Sequence, residues 1–124
     1  MKFLIVDDEI LIRRSLSRAL AAKGHECIEA ENGAVALDQL QQSAFDAVIL
    51  DLIMPVKSGY DVISECSIKT PFFIISAFSG PELSSDYLKS DLRIQMFLKK
   101  PFDNLFETVS EILNHLSRLE KKDL

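Results

Sequence analysis

The chain is poor in cysteine, glycine and proline, with two, four and four respectively. Cys27 and Cys66 have no metal-ligand spacing and are too few for a disulfide scaffold, so reduced thiols in a cytosolic protein are expected. So little glycine and proline leaves no linker or low-complexity tract, and 124 residues suit a single domain, residues 1–124. Basic residues are also scarce. Lys and Arg total 14 against 19 Asp and Glu, a net charge of −5, and no basic stripe offers phosphate contacts, which argues against direct nucleic-acid binding. No apolar run approaches the roughly 20 residues of a membrane span, which excludes membrane insertion. The apolar N-terminus meets Asp7-Asp8-Glu9 at once, too early for a signal peptide. Cytoplasmic residence follows as the expectation. His25 and His115 stand alone and read as surface or packing residues.

What the chain does have is a set of apolar runs that stop at polar residues. Ala47-Val48-Ile49-Leu50 suits a strand covered on both faces, and Pro55 and Gly59 end the extended structure soon after Asp51. Asp51 then lies at the carboxyl end of a buried strand, where open α/β sheets bind ligands, unless it is only a turn residue or the cap of the next helix. Lys2 to Glu9, KFLIVDDE, repeats the design with Asp7 and Asp8. Three carboxylates on one rim repel one another and raise their own pKa values, so they ask for a cation. Magnesium, with its preference for hard oxygen ligands, is the natural one.

Between these strands the spacing predicts helices. Glu9 to Ala22 carries Ile12, Leu16, Ala19 and Leu20 on one face, with Gly24 as the stop. His25 to Ala30 is a weaker strand, interrupted by Glu26 and Glu29, and reads as an edge. Asn32 caps a helix with Ala36, Leu37 and Leu40 buried, and Ser58 caps a short one over Gly59 to Cys66. Phe72-Phe73-Ile74-Ile75 is the fourth strand, ending at Ser76. A fourth helix is expected over 82–89, on a poor stripe. Ile94 to Leu98 is the fifth strand and delivers Lys99-Lys100-Pro101. Asp103 is then expected to cap the last helix, whose stripe is Leu105, Val109, Ile112, Leu113 and Leu116. Five strand–helix alternations predict a parallel sheet with right-handed crossovers and helices on both faces.

The rim thus collects Asp7, Asp8, Asp51, Ser76 and Lys100. A carboxylate can be phosphorylated to an acyl phosphate, which needs a metal, a hydroxyl and a cation around its oxygens. On LIVDDE, AVILDLIMPVKSG, FIISA and FLKKPF, in that order and across essentially the whole length, the chain resembles the receiver domain of two-component response regulators. The resemblance implies a flavodoxin-like doubly wound (βα)5 three-layer sandwich with strand order 2-1-3-4-5. It implies that Asp51 accepts a phosphoryl group from a phosphohistidine on a sensor histidine kinase or histidine phosphotransfer protein. Asp8 would bind Mg2+ directly, Asp7 through water, and Asp51 and the backbone carbonyl of Ile53 would complete the set. Lys100 and Ser76 would contact phosphoryl oxygens, as would the backbone at Ile53 and Ala77, with a cis peptide before Pro101 aiming Lys100 inward and leaving Lys99 outside.

By the same resemblance Phe97 is an aromatic switch that turns inward as Ser76 moves toward the phosphate, altering the face that binds a downstream protein effector; otherwise it is a plain core residue. Ile53 and Phe78 flank the route of the hydrolytic water, and their apolar character implies slow loss of the phosphoryl group. Segment 79–95 departs from the family pattern, and the last helix lacks the basic pattern of receivers that dimerise there, so a monomer or weak dimer is expected. A stand-alone regulator is favoured over an excised N-terminal domain. Apart from a phosphoacceptor switch that is no conventional enzyme, three readings compete. A constitutive interaction module would share the fold without phosphotransfer. A magnesium phosphohydrolase usually has an acid two residues after its nucleophile, where this chain has Ile53. A flavin protein would need a phosphate loop after the first strand, where this chain has acids.

Overall fold

The computed structural model describes residues 1–77 and 90–122. The helix expected over 82–89, most of segment 79–95 and Phe78 lie outside the described residues. Five strands, β1 (Lys2–Val6), β2 (Glu26–Ala30), β3 (Ala47–Asp51), β4 (Phe72–Ser76) and β5 (Ile94–Lys99), form one parallel sheet in the order β2-β1-β3-β4-β5. The described helices are α1 (Ile10–Ala21), α2 (Gly33–Gln42), α3 (Gly59–Glu65) and α4 (Leu105–Lys122). This is the expected flavodoxin-like doubly wound fold.

Two cores explain why the apolar runs are uninterrupted. Alternate residues of each central strand point to opposite faces, and here both faces are covered. Leu4, Val6, Val48, Leu50, Phe72 and Ile74 pack beneath α2 and α3, while Phe3, Ile5, Ala47, Ile49, Phe73 and Ile75 pack beneath α1 and α4. Every residue of β3 and β4 is buried, whereas β2 and β5, at the sheet edges, are only half covered. Glu26 and Glu29 are tolerated in β2 for that reason.

Local chemistry sets the boundaries. Asn32 accepts the Val35 N–H, and Ser58 with Asp61 forms a reciprocal capping box on α3. Gly24, at φ 89°, closes α1 in the left-handed conformation that glycine tolerates. The cap of the last helix corrects the sequence expectation: Asn104, not Asp103, accepts the Glu107 N–H through Oδ1 at 3.2 Å. Asn and Asp are near-equal caps, so only the register of the turn after Pro101 decides between them. At α3 the helix stops at Glu65 and Cys66 is its C-cap. The carbonyls left there are collected by Arg93, whose guanidinium reaches Ile63, Cys66 and Ile68 at 2.6–3.0 Å while paired with Asp91. His25 and His115 pack edge-on to Phe3 and Phe73, and His115 also meets Gln95 at 2.9 Å. Among the described residues no helix is long and apolar enough to cross a membrane.

Candidate functional site

Strand order positions the site. β1 lies between β2 and β3, so the connections leave in opposite directions from the carboxyl ends of β1 and β3 and open a crevice there. The register pairs Val6 with Leu50, so the next residues, Asp7 and Asp51, stand side by side at its floor. Asp7, Asp8 and Asp51 can bring one carboxylate oxygen each within 4.8 Å of one another. Asp7 and Asp51 are buried, at 0% and 4% exposure, and Asp8 is exposed at the mouth. On the other side the Lys100 N–H donates to the Ser76 carbonyl at 2.8 Å, tying the ends of β4 and β5 to the same rim. The five residues expected on the rim are therefore brought together.

The Lys100–Pro101 peptide is cis, Lys100 is buried with its Nζ 2.6 Å from Asp7 and 3.3 Å from Asp51, and Lys99 is exposed. Ser76 is buried, and Ile53 and Ala77 follow the strand ends, Ile53 half exposed. The Ile53 N–H lies 3.4 Å from Asp51 Oδ1. Phe97 is 40% exposed, which overturns its reading as a core residue. Met96 and Leu98 pack on the core beneath α1 and α4, so Phe97 points to the opposite face of the sheet, its side chain partly in solvent.

Burial and the neighbouring Asp7 charge push Asp51 up to about 6, against the pull of Lys100. Burial also raises Asp7 despite Lys100. Burial alone would lower Lys100, but Asp7, Asp51 and Glu9 offset it, so the ammonium is held above its ordinary range and stays charged. Asp7 Oδ2 is buried against the Lys100 ammonium at 2.6 Å. Two buried carboxylates and one open to solvent, with a single ammonium among them, fit a small hard cation that keeps some of its waters.

The β3–α3 loop is held tightly. A methyl on Gly59 would collide with the Asp51 carbonyl oxygen, so glycine alone lets α3 start against the backbone of the acid. Gly33 makes the same allowance beneath Lys57, whose carbonyl accepts the Gly33 N–H at 3.0 Å. Val56 adopts φ 72°, a left-handed conformation that costs a β-branched residue about 1–3 kcal/mol and that only a constrained loop sustains.

Sequence reasoning missed three contributors. Glu9 reaches Lys100 at 3.6 Å, and Arg13 bridges the Asp7 carbonyl and Glu29. A basic residue four positions after Glu9, close behind the acid pair, was the available signal for Arg13. Glu29 had been visible only as an interruption in a strand. A cavity of about 720 Å3 opens at Lys69, Pro71 and Arg93, but its charged pair, Asp91–Arg93, is already spent on the α3 carbonyls.

Comparison with known proteins gives the family. A family profile described as the response regulator receiver domain matches residues 3–110. Response regulator RR06 of Streptococcus pneumoniae is 33% identical over 104 residues, 82% of this chain and 47% of that protein. The transcriptional regulatory protein PdtaR of Mycobacterium tuberculosis is 35% identical over 104 residues, 82% of this chain and 50% of that one. The chain thus spans about half the length of the curated relatives it matches. Among solved structures, the Vibrio cholerae chemotaxis protein CheY4 is 31% identical with a TM-score of 0.80, covering 93% of this chain and 97% of that one. The Thermotoga maritima response regulator TrrA, solved in complex with Mg2+-BeF, is 30% identical with a TM-score of 0.73 at the same coverages. A profile match over residues 3–110, on a parallel sheet of order β2-β1-β3-β4-β5, means that this chain belongs to the response regulator receiver domain family of two-component systems.

Proposed function

We propose that residues 1–124 act as a single cytoplasmic receiver unit that takes a phosphoryl group onto Asp51 and changes its binding face accordingly. The observation that carries this reading is the convergence of Asp7, Asp8 and Asp51 with the Lys100 ammonium at the crevice between β1 and β3. In the step proposed, an Asp51 carboxylate oxygen attacks phosphorus and the P–N bond to a partner's imidazole breaks. The histidine leaves with its electron pair and takes up a proton. Asp7, Asp8, Asp51 and the Ile53 carbonyl would hold Mg2+, which supplies charge neutralisation for the incoming phosphoryl oxygens. The TrrA complex supports that choice of metal.

The remaining roles belong to the chain itself. Lys100, charged and buried beside Asp51, neutralises a phosphoryl oxygen. The Ser76 hydroxyl and the backbone at Ile53 and Ala77 hydrogen-bond the others. Phe97, partly in solvent on β5, follows Ser76 inward and alters the face offered to an effector; a bias of a few kcal/mol suffices for such a shift. The donor is a sensor histidine kinase or histidine phosphotransfer protein. The turnover is self-phosphorylation and slow self-dephosphorylation, not catalysis on an external substrate.

Intact mass after incubation with a small phosphodonor tests the proposal. A single Mg2+-dependent phosphoryl adduct is expected on the native chain and none on Asp51→Asn. No adduct, despite Mg2+ binding, would leave a constitutive interaction module. The same measurement followed in time reads the lifetime. Ile53, half exposed at the mouth, offers no group to orient a water. Ile53→Asn is therefore expected to shorten the adduct's half-life several-fold, and an unchanged decay would refute the role given to Ile53.

A further inference from the structure

We infer that Arg13, held by Glu29, is a positioning residue for the cation site, fixing the backbone from which Asp7 and Asp8 project. The inference rests on the metal reading proposed above. Arg13 lies one turn into α1, and helical side chains lean toward the N-terminus of their helix, so its guanidinium folds back over the β1–α1 loop. There Nη1 donates to the Asp7 carbonyl at 2.8 Å while Nε donates to Glu29 Oε1 at 3.1 Å. The Asp7 carbonyl belongs to the peptide that joins the two acids. Holding it sets the plane of that peptide, and with it the directions in which a buried Asp7 and an exposed Asp8 leave the chain.

Three features separate this contact from an ordinary surface pair. The Arg13 side chain is 12% exposed, so its two hydrogen bonds are largely screened from competing water. Its partners come from different elements: Glu29 lies in β2, and Asp7 follows β1 and donates its own N–H to the Ala30 carbonyl at 3.2 Å. The loop is thus tied to β2 twice, by backbone and by guanidinium. Pairing with Glu29 also matters electrostatically. An unpaired guanidinium beside the acids would oppose cation binding, and the Glu29 carboxylate cancels most of that charge. Groups that orient metal ligands without touching the metal commonly carry about 10–100-fold in affinity.

The sign of the effect makes the test sharp. Deleting a positive charge near an acidic site should, by charge alone, tighten Mg2+ binding. Loss of positioning should weaken it. We would titrate Mg2+ into the native chain, Arg13→Ala, Arg13→Lys and Arg14→Ala by calorimetry, with melting in EDTA to establish that each is folded. Arg14 is the exposed neighbour and serves as the matched charge control. The expectation is that Arg13→Ala raises the Mg2+ Kd about tenfold or more, while Arg14→Ala leaves it unchanged or slightly lower. Arg13→Lys keeps the charge but cannot fork to both acceptors, so it should fall between native and Arg13→Ala, and it carries the test if Arg13→Ala does not fold. A folded Arg13→Ala that binds Mg2+ as tightly as the native chain or more so, or an Arg13→Lys with native affinity where Arg13→Ala does not fold, would overturn this inference alone. A native chain that binds no Mg2+ would overturn both it and the metal reading beneath it.

Discussion

Without metal, Asp51→Asn is expected to be more stable than the native chain at pH 7.5, and to lose that advantage by pH 4. Asp51 is raised to about 6 in the folded chain from an ordinary 3.8, by burial first and by Asp7 second. Between those values the folded protein keeps a proton that the unfolded chain has released. Protons therefore favour folding, and native stability falls as pH rises through that window. Above it the folded chain carries a buried carboxylate that it would sooner protonate, a penalty on the order of 3 kcal/mol for a shift of about two pKa units. Asn removes the charge and keeps the shape, so the gap between variant and native should open from about pH 4 to about pH 6 and then level off. Asp7, also raised by burial, acts with the same sign. Urea melts in EDTA across that range measure the gap. A gap of constant size at every pH would show that Asp51 is not held protonation-prone by its surroundings. Stability sacrificed at a functional acid is a common pattern.

The same physics explains which parts of the site were legible in the sequence. Buried strands announce themselves as unbroken apolar runs, and a polar residue that ends such a run must lie on the rim. Asp7, Asp51, Ser76 and the Lys99-Lys100 pair were found in this way. The choice of Lys100 over Lys99 came only with the family resemblance, because alternation alone does not say which of two adjacent lysines follows the bend at Pro101. Features that depend on the packing between elements were silent. Asn104 in place of Asp103 as the cap turns on one residue of loop register. Arg13 and Glu29 are sixteen residues apart and meet only because β2 pairs with β1. Gly59 read as a helix start and Gly33 drew no reading, yet the significance of both is the backbone above them. Phe97 illustrates the converse: the resemblance made it a switch with plain core as the alternative, and its exposure on a strand whose Met96 and Leu98 pack inward removes that alternative.

Lys100→Ala is expected to be the most damaging single change at this rim in metal-free protein. The ammonium lies 2.6 Å from a fully buried Asp7 and 3.3 Å from Asp51, with Glu9 at 3.6 Å. Its raised pKa means that the stability it contributes is fully present at any pH below its ordinary 10.5. Removing one partner of a buried charge pair costs about 3–5 kcal/mol because the other is left uncompensated, and here two carboxylates are left. At roughly 3–4 °C per kcal/mol for a domain of this size, the melting temperature at pH 7.5 in EDTA should fall by about 10 °C or more. The loss should shrink toward pH 5, since Asp7 and Asp51, stripped of their cation, take up protons more readily still. Asp51→Asn should stabilise the Lys100→Ala background by more than it stabilises the native chain, whereas two independent changes would simply add. Mg2+ then separates this account from a plain packing defect. With the ammonium gone the acids have more to gain from a divalent cation, so Lys100→Ala should bind Mg2+ more tightly than the native chain and regain much of its melting temperature on adding it. A variant that stays stable in EDTA and shows no gain in Mg2+ affinity would remove Lys100 from the role of internal counter-ion.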